Sequence, residues 1–126
     1  MTPPQRPTIL AVDDNRSNLL ALEAVLGGEY TLLLAESGPD ALWLLRKKRD
    51  VAVILLDVQM PEMDGYETAR AIRAMPRFDA LPIIQLTAKA MKGDRDKSIS
   101  AGASDYVTKP VDVEQLLSLM RVWLHR

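Results

Sequence analysis

The stretch "VAVILLDVQMPEMDG", residues 51–65, opens with six apolar residues and halts on Asp57. Nothing polar interrupts Val51 to Leu56, so both faces of that segment need cover. Strands buried on both faces belong to parallel sheets flanked by helices; a half-solvated antiparallel sheet would alternate apolar with polar residues. The same run leaves a carboxylate where the chain quits the core.

The remaining patterns fit that frame. Short β-rich runs are expected at Thr8 to Val12, Tyr30 to Ala35, Val51 to Leu56, Pro82 to Leu86 and Asp105 to Thr108. Helical periodicity lies between and after them. Ser17 to Leu26 places Leu19, Leu22 and Leu26 on one face and stops at Gly27-Gly28. Ser37 with Asp40 resembles a capping box, with Pro39 in the first turn of a second helix. Tyr66 to Met75 makes a third helix, ended by Pro76, and Lys92 to Ala101 a charged, weak fourth. Asp112 caps a fifth, whose apolar stripe is Val113, Leu116, Leu117, Met120 and Leu124. Five strands alternating with five helices predict an α/β, doubly wound parallel sheet with right-handed crossovers. Five strands suit the flavodoxin-like order 2-1-3-4-5, with its crevice outside the carboxyl ends of strands 1 and 3.

Bulk properties narrow the function. At 126 residues the chain suits one domain, read as 8–126 after a disordered, proline-rich lead-in over 1–7. The formal net charge of -1 recommends neither nucleic acid nor an anionic membrane as partner. The basic run Arg46-Lys47-Lys48-Arg49 reads as a solvated helix end, where cations suit the helix dipole. With no cysteine, there is no disulfide, thiolate metal site or cysteine nucleophile. The longest apolar run is too short to span a bilayer, and the N-terminal "MTPPQRPT" has no apolar h-region, so it is not expected to be a signal peptide. The expected location is cytoplasmic.

In that topology the strand ends share one edge. Strand 1 ends in Asp13-Asp14, strand 3 in Asp57, strand 4 in Thr87 and strand 5 in Lys109. Strands 1 and 3 are neighbours, so three carboxylates converge. Their repulsion calls for a hard divalent cation, and oxygen-only ligands point to Mg²⁺. A carboxylate beside such an ion can attack phosphorus, with Lys109 and Thr87 serving the equatorial oxygens. Taken singly, each residue has a plainer reading: Asp14 as a helix cap, Lys109 as a solvated lysine before a proline turn. Four strand ends on one edge favour the joint reading.

At this point the chain strongly resembles the receiver domain of two-component response regulators. The matching stretches are "ILAVDDN", "VILLDVQMPEMDGYE", "PIIQLTAKAM" and "AGASDYVTKPV". The wording of the last two is most similar to receivers attached to, or served by, hybrid histidine kinases. The resemblance implies that Asp57 accepts a phosphoryl group from a phosphohistidine on a histidine kinase or histidine phosphotransfer protein. It implies Mg²⁺ held by Asp14 and Asp57, by Asp13 mainly through water, and by the Gln59 backbone carbonyl. Thr87 and Lys109 bind phosphoryl oxygens, and Lys109-Pro110 is where the family has a cis peptide. Thr87 and Tyr106 form the switch that reshapes the fourth helix, fifth strand and fifth helix for a downstream protein partner. Gln59 and Lys89 tune the phosphate lifetime, and the small Ala88 leaves access for the donor. The chemistry so implied is one phosphotransfer followed by slow hydrolysis, a signalling switch and not a metabolic enzyme. Gln85 stands where a smaller residue is expected, and its amide needs a partner if buried.

Three other readings compete. A Mg²⁺-dependent aspartyl phosphatase needs a second aspartate two residues after the nucleophile, where this chain has Gln59. A flavin carrier of similar fold needs a phosphate cradle after strand 1, where "DDNRSN" is acidic. A phosphorylation-independent interaction module has no need of a complete site.

Overall fold

A computed structural model of the chain describes residues 6–48, 50–88 and 93–124. The elements are β1 (Thr8–Val12), α1 (Arg16–Leu26), β2 (Thr31–Ala35), α2 (Gly38–Lys47), β3 (Val51–Asp57), α3 (Gly65–Arg73), a 3₁₀ turn (Pro76–Phe78), β4 (Ile83–Thr87), α4 (Asp94–Ser100), β5 (Asp105–Thr108) and α5 (Val113–Leu124). All strand pairings are parallel, in the order β2-β1-β3-β4-β5. This is the expected doubly wound sheet with five helices. Among the described residues no helix is long and apolar enough to cross a membrane.

The sheet separates two cores by strand alternation. Leu10, Val12, Ile54, Leu56 and Ile83 face α2 and α3, meeting Ala41, Leu45, Ala69 and Ile72. Ile9, Ala11, Val53, Leu55, Ile84, Leu86 and Val107 face α1 and α5, meeting Leu19, Leu22, Leu26, Leu116 and Met120. Val53, Ile54, Leu55 and Leu56 are fully buried. At about 2 kcal/mol each, their burial alone rivals the net stability of a small domain. β3 is therefore the fixed rail on which Asp57 is carried.

Several boundaries differ from expectation for local reasons. β3 runs one residue further, so Asp57 is its last member, paired in register with Leu86. β4 starts at Ile83 and ends on Thr87, because Pro82 has no N–H for the ladder. α3 ends at Arg73, before the expected Met75; Met75 precedes a proline and is extended (φ -89, ψ 112), and Pro76 begins the 3₁₀ turn. The α1 cap is Asn15, not Asp14: its side chain accepts from the N–H groups of Ser17 and Asn18. At Ser37 only half of the expected capping box forms, with Asp40 N–H on its Oγ at 3.1 Å. The reciprocal box is at Asp64 and Glu67, opening α3. Val113 is 41% exposed, so the α5 stripe begins effectively at Leu116. Arg49, Lys89, the expected helix start at Lys92 and most of the lead-in lie outside the described residues.

Candidate functional site

Asp13 follows β1, its N–H still bonded to the Ala35 carbonyl of β2. Asp57 ends β3. One ligand oxygen from each of Asp13, Asp14 and Asp57 lies within 4.8 Å of the others. One ion can touch all three, and an oxygen-only set of that span fits a hard divalent cation. Asp13 and Asp57 are buried, whereas Asp14 is exposed. Both Asp13 oxygens are already engaged: Oδ1 accepts the Asn15 N–H at 2.9 Å, and Oδ2 accepts Asn18 Nδ2 at 3.2 Å. The two asparagines are contributions that sequence reasoning missed.

Lys109 follows β5, its N–H on the Thr87 carbonyl at 2.7 Å. Its Nζ donates to Asp57 Oδ1 at 2.9 Å and to Asp13 Oδ2 at 3.2 Å. The Lys109–Pro110 peptide is cis. Thr87 is buried at the end of β4, one residue past Asp57's register partner. Gln59 and Ala88 are exposed, and Tyr106 is half-buried on β5. Lys89 is not among the described residues.

Gly65 fixes the return of the loop. Its N–H donates to the Val58 carbonyl at 2.8 Å, and a Cβ there would stand 2.3 Å from the Asp57 carbonyl oxygen. Only glycine permits that approach. Beside the loop lies a shallow cavity of about 260 Å³ bounded by Gln59, Tyr66, Thr87 and Asp94. On the other side, Asp13 and Lys109 line one end of an open groove of about 580 Å³ between α1 and α5, walled by Leu22, Val25, Val113 and Leu116.

The electrostatics follow from burial and crowding. Burial raises the Asp57 carboxyl, the Lys109 hydrogen bond pulls it back, and the Asp13 charge raises it again; the net direction is up. Burial alone would lower Lys109, but its bonds and charge interactions with Asp57 and Asp13 outweigh that, leaving it raised. Lys109 is therefore a cation at neutral pH.

The Asp57 shift has a sign that can be tested. The folded chain holds a proton at pH values where the unfolded chain has released it. Stability therefore falls as pH climbs from the ordinary carboxyl value through the raised one. Asparagine mimics the protonated group at all pH values. In chelator, Asp57→Asn should be more stable than the parent at about pH 7, with the gap closing as pH falls toward the ordinary carboxyl value. Urea unfolding at several pH values checks this, and a variant less stable than the parent at neutral pH would contradict it.

Comparison with known proteins adds an independent line. The chain matches the response regulator receiver domain family over residues 9–121. It is 39% identical over 114 residues to the signal transduction histidine-protein kinase BarA of Escherichia coli K12, spanning 90% of this chain and 12% of BarA. It is 42% identical over 119 residues to the response regulator MprA of Mycobacterium sp. strain KMS, spanning 94% of this chain and 50% of MprA. Among solved structures, chemotaxis protein CheY4 of Vibrio cholerae superposes with a TM-score of 0.88 at 31% identity, over 94% of this chain and 99% of CheY4. The receiver domain of sensor histidine kinase PA1611 from Pseudomonas aeruginosa superposes with a TM-score of 0.88 at 35% identity. That match covers 96% of this chain and 99% of the other, whose active-site cleft holds a magnesium ion.

Proposed function

This chain belongs to the response regulator receiver domain family, and from that premise we propose that it is a phosphorylation-controlled signalling switch with Asp57 as acceptor. The donor is a phosphohistidine on a histidine kinase or histidine phosphotransfer protein. An Asp57 carboxylate oxygen attacks phosphorus as the histidine N–P bond breaks, leaving an acyl phosphate and a free imidazole. An ionised carboxylate needs no general base. Lys109 and Thr87 take the phosphoryl oxygens. Asp14, Asp57 and the Gln59 backbone carbonyl would hold Mg²⁺, and Asp13, whose oxygens are already occupied, would act mainly through water. When bound, such an ion would supply charge compensation for the phosphoryl group and the carboxylates. Gln59 and Lys89 tune the phosphate lifetime, and the small Ala88 leaves access for the donor. The groove between α1 and α5 gives the donor a route to the site. The functional unit is 8–126, acting in the cytoplasm.

The observation that carries this reading is the convergence on Asp57 of two further carboxylates from the end of β1 and the Lys109 ammonium from the end of β5. Incubation with acetyl phosphate and Mg²⁺ should add one phosphoryl group at Asp57, seen by intact mass and peptide mapping. Sustained turnover of a phosphomonoester at ordinary enzyme rates would favour the phosphatase reading instead. A partner that binds equally with and without phosphate would favour the phosphorylation-independent module.

The output is the α4-β5-α5 face. α4 has one buried residue, Ser98, and its N-cap is Gly93, in a left-handed conformation (φ 97) that offers no side-chain cap. Such an element is cheap to displace. Thr87 moving toward the phosphoryl group lets Tyr106 turn inward, and the face changes shape. Lys109→Ala should still accept phosphate from a small donor but lose the phosphate-dependent gain in partner affinity. Partner binding that responds to phosphate as in the parent would remove Lys109 from the switch.

A further inference from the structure

β4 carries a buried polar residue that the phosphoryl chemistry does not use. Ile84 and Leu86 join the α1 and α5 core, so Ile83, Gln85 and Thr87 face the α3 and α4 side. Gln85 is fully buried. Its Nε2 donates to the Gly65 carbonyl at 2.9 Å. Gly65 closes the loop that begins at Asp57, through its N–H on Val58 and its contact with the Asp57 carbonyl. One amide proton thus reaches from β4 to the segment that carries the acceptor and Gln59.

The other half of that amide is unsatisfied. Gln85 Oε1 is buried and has no hydrogen-bond partner among the described residues. A buried acceptor left so bears its desolvation penalty uncompensated. α4 offers the complementary group. Its one buried side chain is the Ser98 hydroxyl, a donor, which makes no well-formed hydrogen bond among the described residues although the Tyr66 phenol stands near it. Ile99, the helix's large apolar residue, is 40% exposed, so it adds little apolar burial against the sheet. Tyr106 is Gln85's register partner on β5 and shares its face.

We propose that Gln85 is a positioning residue that couples the acceptor loop to α4. Its Nε2 holds the loop through Gly65, and its Oε1 accepts the Ser98 hydroxyl when α4 settles on the sheet in the phosphorylated state. The proposal rests on Asp57 being the acceptor. The same amide then ties the metal-binding loop and the output helix, and each arm can be cut separately.

The test uses the full chain, Gln85→Met, Ser98→Ala and, as a stability control outside this layer, Leu45→Val. Calorimetric Mg²⁺ titration and hydrogen exchange are run on the unphosphorylated chain, with exchange repeated under beryllofluoride as a phosphoryl stand-in. Gln85→Met should weaken Mg²⁺ about fivefold, the equivalent of one lost hydrogen bond, and raise exchange over residues 58–65. Ser98→Ala and Leu45→Val should leave Mg²⁺ affinity unchanged. Under beryllofluoride the parent should gain protection over residues 94–100, and both Gln85→Met and Ser98→Ala should lose that gain. Unchanged Mg²⁺ affinity in Gln85→Met, or a full gain of α4 protection in Ser98→Ala, overturns the coupling. Failure of the parent to take phosphate at Asp57 would sink the acceptor reading instead, while the Mg²⁺ and loop-exchange results still judge Gln85.

Discussion

Asp57→Asn should reduce phosphate incorporation, from acetyl phosphate or from a phosphohistidine donor, to background. The amide that replaces the carboxylate has no anionic oxygen to attack phosphorus. Neither neighbour can take over. Asp13 has both oxygens committed to Asn15, Asn18 and Lys109. Asp14 is exposed, and no hydrogen bond ties it to Lys109, so it lacks the ammonium that would steady an attacked phosphoryl group. The variant should fold, since the change removes a charge from a crowded site. Intact-mass measurement after labelling decides the matter, and undiminished incorporation would move the acceptor elsewhere.

Arg73→Met should destabilise the fold by roughly 3–5 kcal/mol, more than most single substitutions. The Arg73 guanidinium sits at the opposite edge of the sheet from Asp57. Its Nε donates to the Gly102 carbonyl at 2.7 Å, its Nη1 to the carbonyls of Phe78 and Leu81, and its Nη2 to Ser104 Oγ at 3.3 Å. Burial lowers its pKa, yet arginine stays charged, so these are charge-assisted bonds. They join the end of α3, the 3₁₀ turn, the approach to β4 and the turn before β5. Ser104 Oγ in turn accepts the Ile83 N–H at 3.1 Å, and Gly102, at φ 109, packs directly on the arginine stem. Methionine keeps the stem and strands three carbonyls. Lysine cannot reach all of them from one nitrogen. A loss below about 1 kcal/mol in urea unfolding would show that these segments hold without the clamp.

The contrast between those residues explains what the sequence discloses. Asp57 is legible because it ends an unbroken apolar run, and the parallel topology then gathers Asp13, Asp14, Thr87 and Lys109 at one edge. That inference needs only strand direction and order. Arg73 reads from sequence as an ordinary basic helix end, since its bonds to Gly102 and Ser104 span 29 and 31 residues. Gln85 announces a difficulty but not its solution, because nothing local pairs it with Gly65. The Asp64–Glu67 box is itself a D-x-x-E before a helical run, so its signal is present in the sequence. Boundaries slipped by a residue or two where a proline or a final ladder bond decides the end, as at Met75 and Thr87.

The two bonds from Lys109 carry one more consequence. The fold supplies its own tethered counter-ion, already seated between two of the three acids. A divalent visitor would therefore meet an ammonium already bonded to Asp57 and Asp13, and its measured affinity would include the cost of disturbing those bonds. Lys109→Ala, with the incumbent gone, should bind Mg²⁺ more tightly than the parent in calorimetric titration; weaker binding would mean that the ammonium is an ally of the metal and not its rival.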